Sequence, residues 1–518
     1  MAKPPEKLAE SLEALRKLRE QGVVAIRSVD LSRTHRQRLQ KNGFLQEVMK
    51  GWYIPSRPDE ARGESTAWYA SFWDFCAAYL AERFGDEWAL SPEQSLLLHT
   101  GNRAVPHQLL VRTPKGGNKP TTLPHDTSLF DMRSSLPDAR QVQEVDALKL
   151  FSVPAALVAA GPTFFNRNST EARAALAMVR DASDVLELLL DGGHSKVAGR
   201  LAGAFRNIGR DRIADNILKT MRAADYAVTE TDPFADKPGL ELGIRQLSPY
   251  VNRMKLMWQR MSEPVLEVFP PSPGLPNDTK SYLRAVDEVY VSDAYHSLSI
   301  EGYRVNAALI ERIRRGAWDP DNNQDDQEQK NALAARGYHE AFEAVKESVR
   351  SVLQGENGGD VADRDHRGWY TKLFAPSVTA GILRTADLAG YRNSAVTIRR
   401  SKHVPPRYEA VRDMMPAFFD LLREETEPAV RVVLGHFVFV YIHPYMDGNG
   451  RIGRFLMNVM LAAGGYPWTV IPVEERDKYM TALEDASVRQ DIRPFATFLG
   501  LLVQSGLDGK PAPHVPED

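Results

Sequence analysis

Leu8, Leu12, Leu15 and Leu18 stand three or four apart among charged residues, the spacing of one helical face, and predict a helix over 7–21. A second helix is expected from an N-cap at Ser32 to a stop at Gly43. Residues 44–54 then read as two short strands turning at Lys50-Gly51. Two helices followed by a hairpin predict a small winged helix-turn-helix over 1–60. The pattern is mixed over 61–230: an aromatic helix over 66–84, strands over 108–112 and 128–132, a turn-rich stretch at 114–120, and helical spacing over 145–160 and 170–224. Gly192-Gly193-His194 reads as a helix break, lacking the Gly-Lys-Ser/Thr ending of a phosphate loop. A linker is expected over 229–239, and prolines break the chain again at 270–273. Beyond them the period stays helical, over 280–298, 305–316, 327–353, 363–374, 408–424, 428–442, 451–463, 476–489 and 494–504. The expected fold is mainly α: an all-helical domain over 240–505, preceded by the winged helix and a mixed α/β middle region.

Composition narrows the possibilities. A chain of 518 residues exceeds one core, and 43% hydrophobic with 26% charged residues is the balance of a soluble globular protein. A net charge of -3 offers no global attraction to nucleic acid or membrane, so any basic surface is local. One candidate is the helix carrying Arg33, Arg36, Arg38 and Lys41, read either as a recognition helix for DNA or as a solvated face. The single Cys76 excludes an intramolecular disulfide and a Cys-rich zinc site, and its aromatic surroundings favour a buried thiol over a nucleophile. The apolar run at 432–442 is well short of the roughly 20 residues of a membrane helix. With no apolar signal region at the start, a cytoplasmic location without a membrane partner is expected. The acidic stretch 319–328 reads as a solvated loop.

The densest chemistry lies at His443-Pro444-Tyr445-Met446-Asp447-Gly448-Asn449-Gly450-Arg451-Ile452-Gly453-Arg454. Pro444 disfavours helix at His443, and a new helix is expected near Arg451. Gly448, Asn449 and Gly450 all tolerate positive φ, so their N–H groups can line one concavity at a helix N-terminus, an anion site. Arg451 and Arg454, three apart, share a face and suit a polyphosphate. Asp447 offers a hard oxygen to Mg²⁺, and His443 ionises near working pH as a general base should. Base, metal ligand, anion nest and arginine clamp are the parts of a phosphoryl or nucleotidyl transfer.

This run resembles the Fic signature, His-x-Phe-x-Asp/Glu-Gly-Asn-Gly-Arg-x-x-Arg, with Tyr445 in place of Phe as the one departure. The resemblance covers roughly 276–504. It implies that His443 deprotonates a Tyr, Ser or Thr hydroxyl of a protein target, or of the chain itself, which attacks the α-phosphate of ATP. Asp447 would then hold Mg²⁺, Asn449 and the neighbouring backbone the α-phosphate, Arg451 the inner phosphates and Arg454 the γ-phosphate. Val396-Thr397-Ile398, just after Gly390-Tyr391-Arg392, resembles the Fic flap, a hairpin that pairs with a target segment; read without the family it is an ordinary surface hairpin.

Ser297-Leu298-Ser299-Ile300-Glu301-Gly302 matches the inhibitory motif of the same family. Ser297 and Glu301 share a helical face, and Gly302 suits a helix end. The resemblance implies that Glu301 reaches Arg454 and restrains transfer, and it permits the reverse removal of AMP. The stretch over 8–54, and more loosely the mixed region to about 225, also resembles the winged-helix region of abortive-infection antitoxins, which bind operator DNA. A regulated protein adenylyltransferase is therefore expected. One alternative is a DNA-binding transcriptional regulator using this domain as a nucleotide sensor. Another is transfer of UMP or a phosphoryl group, the latter disfavoured by the intact 448–454 run. Tyr479 reads equally as a base-pocket or a core residue.

Overall fold

The computed structural model describes residues 4–60, 63–238, 248–316 and 330–516, and contacts divide the chain between two units. The first is Met1–Arg253 with Thr397–Val404; the second is Met254–Val396 with Pro405–Asp518.

The first unit begins α1 (Pro4–Glu20), β1 (Ile26–Arg27), α2 (Arg33–Lys41), β2 (Leu45–Met49) and β3 (Trp52–Pro55). Ser32 caps α2 by accepting from the His35 N–H at 3.2 Å, as its position in the sequence requires. The three strands form one antiparallel sheet in the order β1-β3-β2. Leu15, Ile26, Leu31, Leu39, Leu45 and Tyr53 make a core of their own here. Strand β1, only two residues long, has no period to betray it.

Next come α3 (Thr66–Phe84), β4 (Ala89–Leu90), α4 (Pro92–His99), β5 (Gln108–Thr113), β6 (Pro120–Leu123) and β7 (Thr127–Arg133). The four strands run β4-β5-β7-β6, with β5 and β7 parallel. Against them pack Trp68, Phe72, Phe75 and a fully buried Cys76, whose thiol burial pushes well up. The helix expected over 145–160 is corrected by the structure. Residues Val142–Val145 and Leu148–Phe151 form a hairpin, β8 and β9, and helix resumes only at α5 (Val153–Ala159). Asp146 and Ala147 both take positive φ (53° and 60°), the geometry of a two-residue hairpin turn, while Leu148 and Leu150 turn inward.

The unit continues with α6 (Pro162–Arg167), α7 (Ser169–Met178), α8 (Ser183–Asp191), α9 (Ser195–Asn207) and α10 (Asp211–Ala223). The break at Gly192-Gly193 separates α8 from α9. The expected linker is corrected within its described part, 229–238, which is packed coil. The Thr229 and Thr231 carbonyls lie where side chains of Gly199 and Gly203 would be, and the Thr231 N–H donates to the Gly199 carbonyl at 3.1 Å.

The remaining elements are helices: α11 (Pro249–Leu266), assigned to the second unit from Met254 and not anticipated from the sequence, α12 (Thr279–Ile300), α13 (Ala307–Arg314), α14 (Lys330–Leu353), α15 (Gly358–Thr379), α16 (Tyr408–Glu424), α17 (Pro428–Ile442), α18 (Asn449–Ala463), α19 (Arg476–Glu484) and α20 (Arg493–Leu507). The acidic stretch 319–328 lies outside the described residues. Helices α14 and α15 pack so closely that a side chain at Gly337 would strike the Leu373 carbonyl. Helix α12 docks on α14 through the Tyr338 hydroxyl, which donates to the buried Asp293 carboxylate at 2.6 Å. Among the described residues no helix is long and apolar enough to cross a membrane.

Candidate active site

Between α17 and α18 the backbone turns at His443, which caps α17 in the left-handed region (φ 53°, ψ 59°). Arg392 holds that geometry: its Nε donates to the His443 carbonyl at 2.8 Å and its N–H to the Pro444 carbonyl at 2.9 Å. The His443 Nδ1 lies 3.1 Å from the Val440 carbonyl, which can only accept. Nδ1 therefore carries the proton and Nε2 the lone pair. Burial pushes the imidazole down to about 4, with the Arg392 charge adding to that direction, so the ring is neutral at pH 7.

Tyr445 anchors the loop by stacking on Tyr370, with centroids 3.8 Å apart and planes within 6°. Its hydroxyl is buried without a hydrogen-bond partner, so the ring alone replaces the expected Phe. The Asn449 carboxamide closes the loop from inside: Oδ1 accepts from the Tyr445 N–H at 2.9 Å, and Nδ2 donates to its carbonyl at 2.8 Å. That leaves the backbone to form the anion nest. Gly448 takes φ 78° at the N-cap of α18, and no side chain caps the helix. A side chain at Gly448 would also sit 2.9 Å from the Phe374 ring. Asp447 at the mouth keeps 69% of its side chain exposed, 3.5 Å from an Arg451 nitrogen.

Arg454 is buried and points at α12. Its Nε donates to Ser297 Oγ at 2.9 Å, and its Nη2 to the Ser297 carbonyl at 3.0 Å and Glu301 Oε1 at 2.8 Å. Burial pushes the Glu301 carboxyl up, but the charges of Arg454 and Arg451 outweigh it and hold the group below its ordinary value. The same oxygen occupies the space a Gly450 side chain would fill. Arg451, 2% exposed, lies 5.2 Å from the ring centroids of both Tyr303 and Phe374.

Tyr479 resolves into a core role. His436 Nδ1 faces the Gly453 carbonyl at 2.8 Å and must be protonated, so Nε2 accepts from the Tyr479 hydroxyl at 2.7 Å. The Tyr479 oxygen in turn stands beside Arg454. Arg392, His436, Tyr303 and Phe374 were not singled out from the sequence as site residues. The arginine of Gly390-Tyr391-Arg392 was the one available signal.

The expected flap hairpin is corrected: no strand forms over 391–404. Val396 falls in the second unit, Thr397 and Ile398 in the first. Within the first unit Arg399 makes two bonds to Glu64, at 2.7 and 2.9 Å. The Arg400 N–H donates to Thr66 Oγ1, and the Lys402 carbonyl accepts from the Val105 N–H, both at 2.9 Å. Arg399, Arg400 and Lys402 are thus engaged within the first unit. On α2, Arg33 and Lys41 are exposed, whereas Arg36 and Arg38 turn inward. Arg36 lies over Tyr53 at 5.5 Å, and Arg38 donates to Ser11 Oγ at 2.8 Å and to the Lys7 carbonyl.

A model of the Fic/DOC family matches residues 366–461. The chain is similar to proteins named protein adenylyltransferase Fic from Nematostella vectensis (28% identical over 248 residues, 45% of this chain and 52% of that one) and Drosophila willistoni (29% over 229 residues, 43% and 42%). It spans about half the length of these curated relatives, or less. Among solved structures, Fic-1 (aa134–508) from C. elegans aligns at TM-score 0.37 and 17% identity, covering 66% of this chain and 95% of that one. The stretch matched by the family model begins in α15 and takes in the His443 loop and most of α18: this chain carries a Fic domain.

Proposed function

We propose that the chain transfers the adenylyl group of ATP to a hydroxyl of a protein, itself or another, and is restrained by Glu301. One observation carries the reading: the Glu301 carboxylate lies against Gly450 at an uncapped helix N-terminus, gripped by Arg454, where an anionic phosphate belongs. His443 Nε2, unprotonated, accepts the hydroxyl proton as oxygen attacks the α-phosphorus. The new O–P bond forms while the bond to the β-phosphate oxygen breaks, and pyrophosphate leaves. The nest holds the α-phosphate, Arg451 the inner phosphates and Arg454, once Glu301 departs, the γ-phosphate.

Asp447 fits Mg²⁺ as a lone exposed carboxylate, since Mg²⁺ in such sites takes one or two carboxylates with phosphate oxygens and water. When bound, the ion would neutralise charge on the phosphates. In the first unit the same proposal assigns duplex DNA contacts to Arg33 and Lys41, the exposed pair on α2, within a winged-helix arrangement.

The test is incubation of wild type, Glu301→Gly and Glu301→Gly/His443→Ala with ATP and Mg²⁺, read by intact mass. A gain of one AMP in Glu301→Gly alone is expected. No gain in any form, with or without an added lysate, would overturn the reading in favour of nucleotide sensing.

A further inference from the structure

Arg451 is the less explained of the two arginines. It is 2% exposed, yet its Nε is buried without a hydrogen-bond partner, and its nearest carboxylate, Asp447, is 3.5 Å away. Its guanidinium is covered by rings, 5.2 Å from the centroids of Phe374 on α15 and Tyr303, and it also bonds the Tyr303 hydroxyl. Phe374 belongs to the fixed wall of the loop. Tyr303 lies just past the end of α12, two residues beyond Glu301.

The connection between those two residues is stiff. Gly302 takes φ 85°, and the N–H groups of Glu301 and Tyr303 both donate to the Leu298 carbonyl at 3.1 Å. Arg476 Nε secures the same helix end through the Ile300 carbonyl at 2.8 Å. A movement of this backbone that withdraws Glu301 from Arg454 therefore carries the Tyr303 ring with it. We infer that Tyr303 is a second arm of the restraint, covering Arg451 as Glu301 covers Arg454. The inference rests on the proposal that Arg451 grips the inner phosphates. On that basis one helix end withholds both arginines, and releasing it frees the whole clamp at once.

The two arms separate in binding measurements, because ADP has no γ-phosphate and so, of the two arginines, reports on Arg451. Calorimetric titration of the full chain with ADP and with ATP would compare wild type, Tyr303→Ala, Tyr303→Leu, Tyr303→Phe and Glu301→Gly. Removal of the ring is expected to tighten ADP about 5-fold, equivalent to one cation–π contact. Tyr303→Leu, which keeps apolar bulk without a π face, shifts in the same direction, and Tyr303→Phe, which keeps the ring and loses only the hydroxyl's bond to Arg451, shifts less than either. Glu301→Gly favours ATP over ADP. Unchanged or weaker ADP binding in both Tyr303→Ala and Tyr303→Leu would overturn the inference, since Tyr303 would then brace Arg451 rather than cover it. Absence of nucleotide binding in every form would overturn the proposed function and the inference together.

Discussion

Two regions of this molecule bear clustered arginines, and they use them in opposite ways. On α2, Arg36 and Arg38 bond Tyr53, Ser11 and the Lys7 carbonyl of their own small unit, with Arg36 Nε buried and unpaired. At the head of α18, Arg454 spends its donors on a carboxylate and a hydroxyl carried by another helix, and Arg451 keeps a donor idle. The first pattern fastens a small three-stranded unit whose core is six residues. On the proposed function, the second is exchanged for a ligand once Glu301 withdraws. Charge on a helix makes the stronger case for an anion site where the backbone beside it is also shaped for an anion, as at Gly448 and Gly450.

The sharpest way to break the comparison is to remove the base. With Glu301→Gly as background, His443→Ala should lower the rate of AMP incorporation about 10³-fold, and a loss under tenfold would remove His443 from proton transfer. Next in size is the loop's backbone. Gly448→Ala places a methyl group at positive φ against Phe374 and should cost about 3 kcal/mol in urea unfolding. An unchanged midpoint would mean the nest is softer than drawn.

The acidity of His443 supplies a third test. Its folded pKa is depressed to about 4, so the neutral base persists until pH falls through that value, whereas an ordinary histidine protonates near 6.5. Removing Glu301 takes away a group that raises the pKa, which moves the limb further down. Glu301→Gly should thus hold its rate within about twofold from pH 7.5 to 5.5, where a pKa of 6.5 predicts a fall of about tenfold. Smallest is the contrast on α2. Arg38→Ala should lower stability by about 1 kcal/mol and leave the salt slope of duplex binding unchanged. Arg33→Ala should do the reverse, reducing that slope by about 1. The opposite pattern would return Arg38 to the DNA-facing side.

The contrast also separates what a sequence discloses from what it conceals. Helices α3, α16 and α17 match their expected bounds because long apolar periods meet clear breakers at their ends. The whole His443 loop was legible, since its glycines, carboxylate and arginines are neighbours in the chain. Ser297 and Glu301 were legible as a face, and their meeting with Arg454 followed from the family resemblance. Hidden were contributions that depend on one side chain from far away: Arg392 beneath His443, Phe374 and Tyr303 beside Arg451, His436 behind Tyr479. Short strands failed for a different reason. In β9 two inward leucines fit a helix as well as a strand until the positive φ values of Asp146 and Ala147 decide the matter. No flap strand forms over 391–404, where Arg399, Arg400 and Lys402 bond groups of the first unit.

The space left empty by Gly450 has a consequence for regulation. On the proposed function, Glu301 and a phosphate contend for one volume, so the carboxylate acts as a tethered competitor whose strength is an effective concentration set by the α12 end. The apparent dissociation constant for ATP is then the intrinsic one divided by the fraction of molecules with that end withdrawn. Output follows the nucleotide supply over a range fixed by one helix terminus, and changes in the hold of Arg476 or Gly302 on that terminus reset the range without touching a catalytic atom.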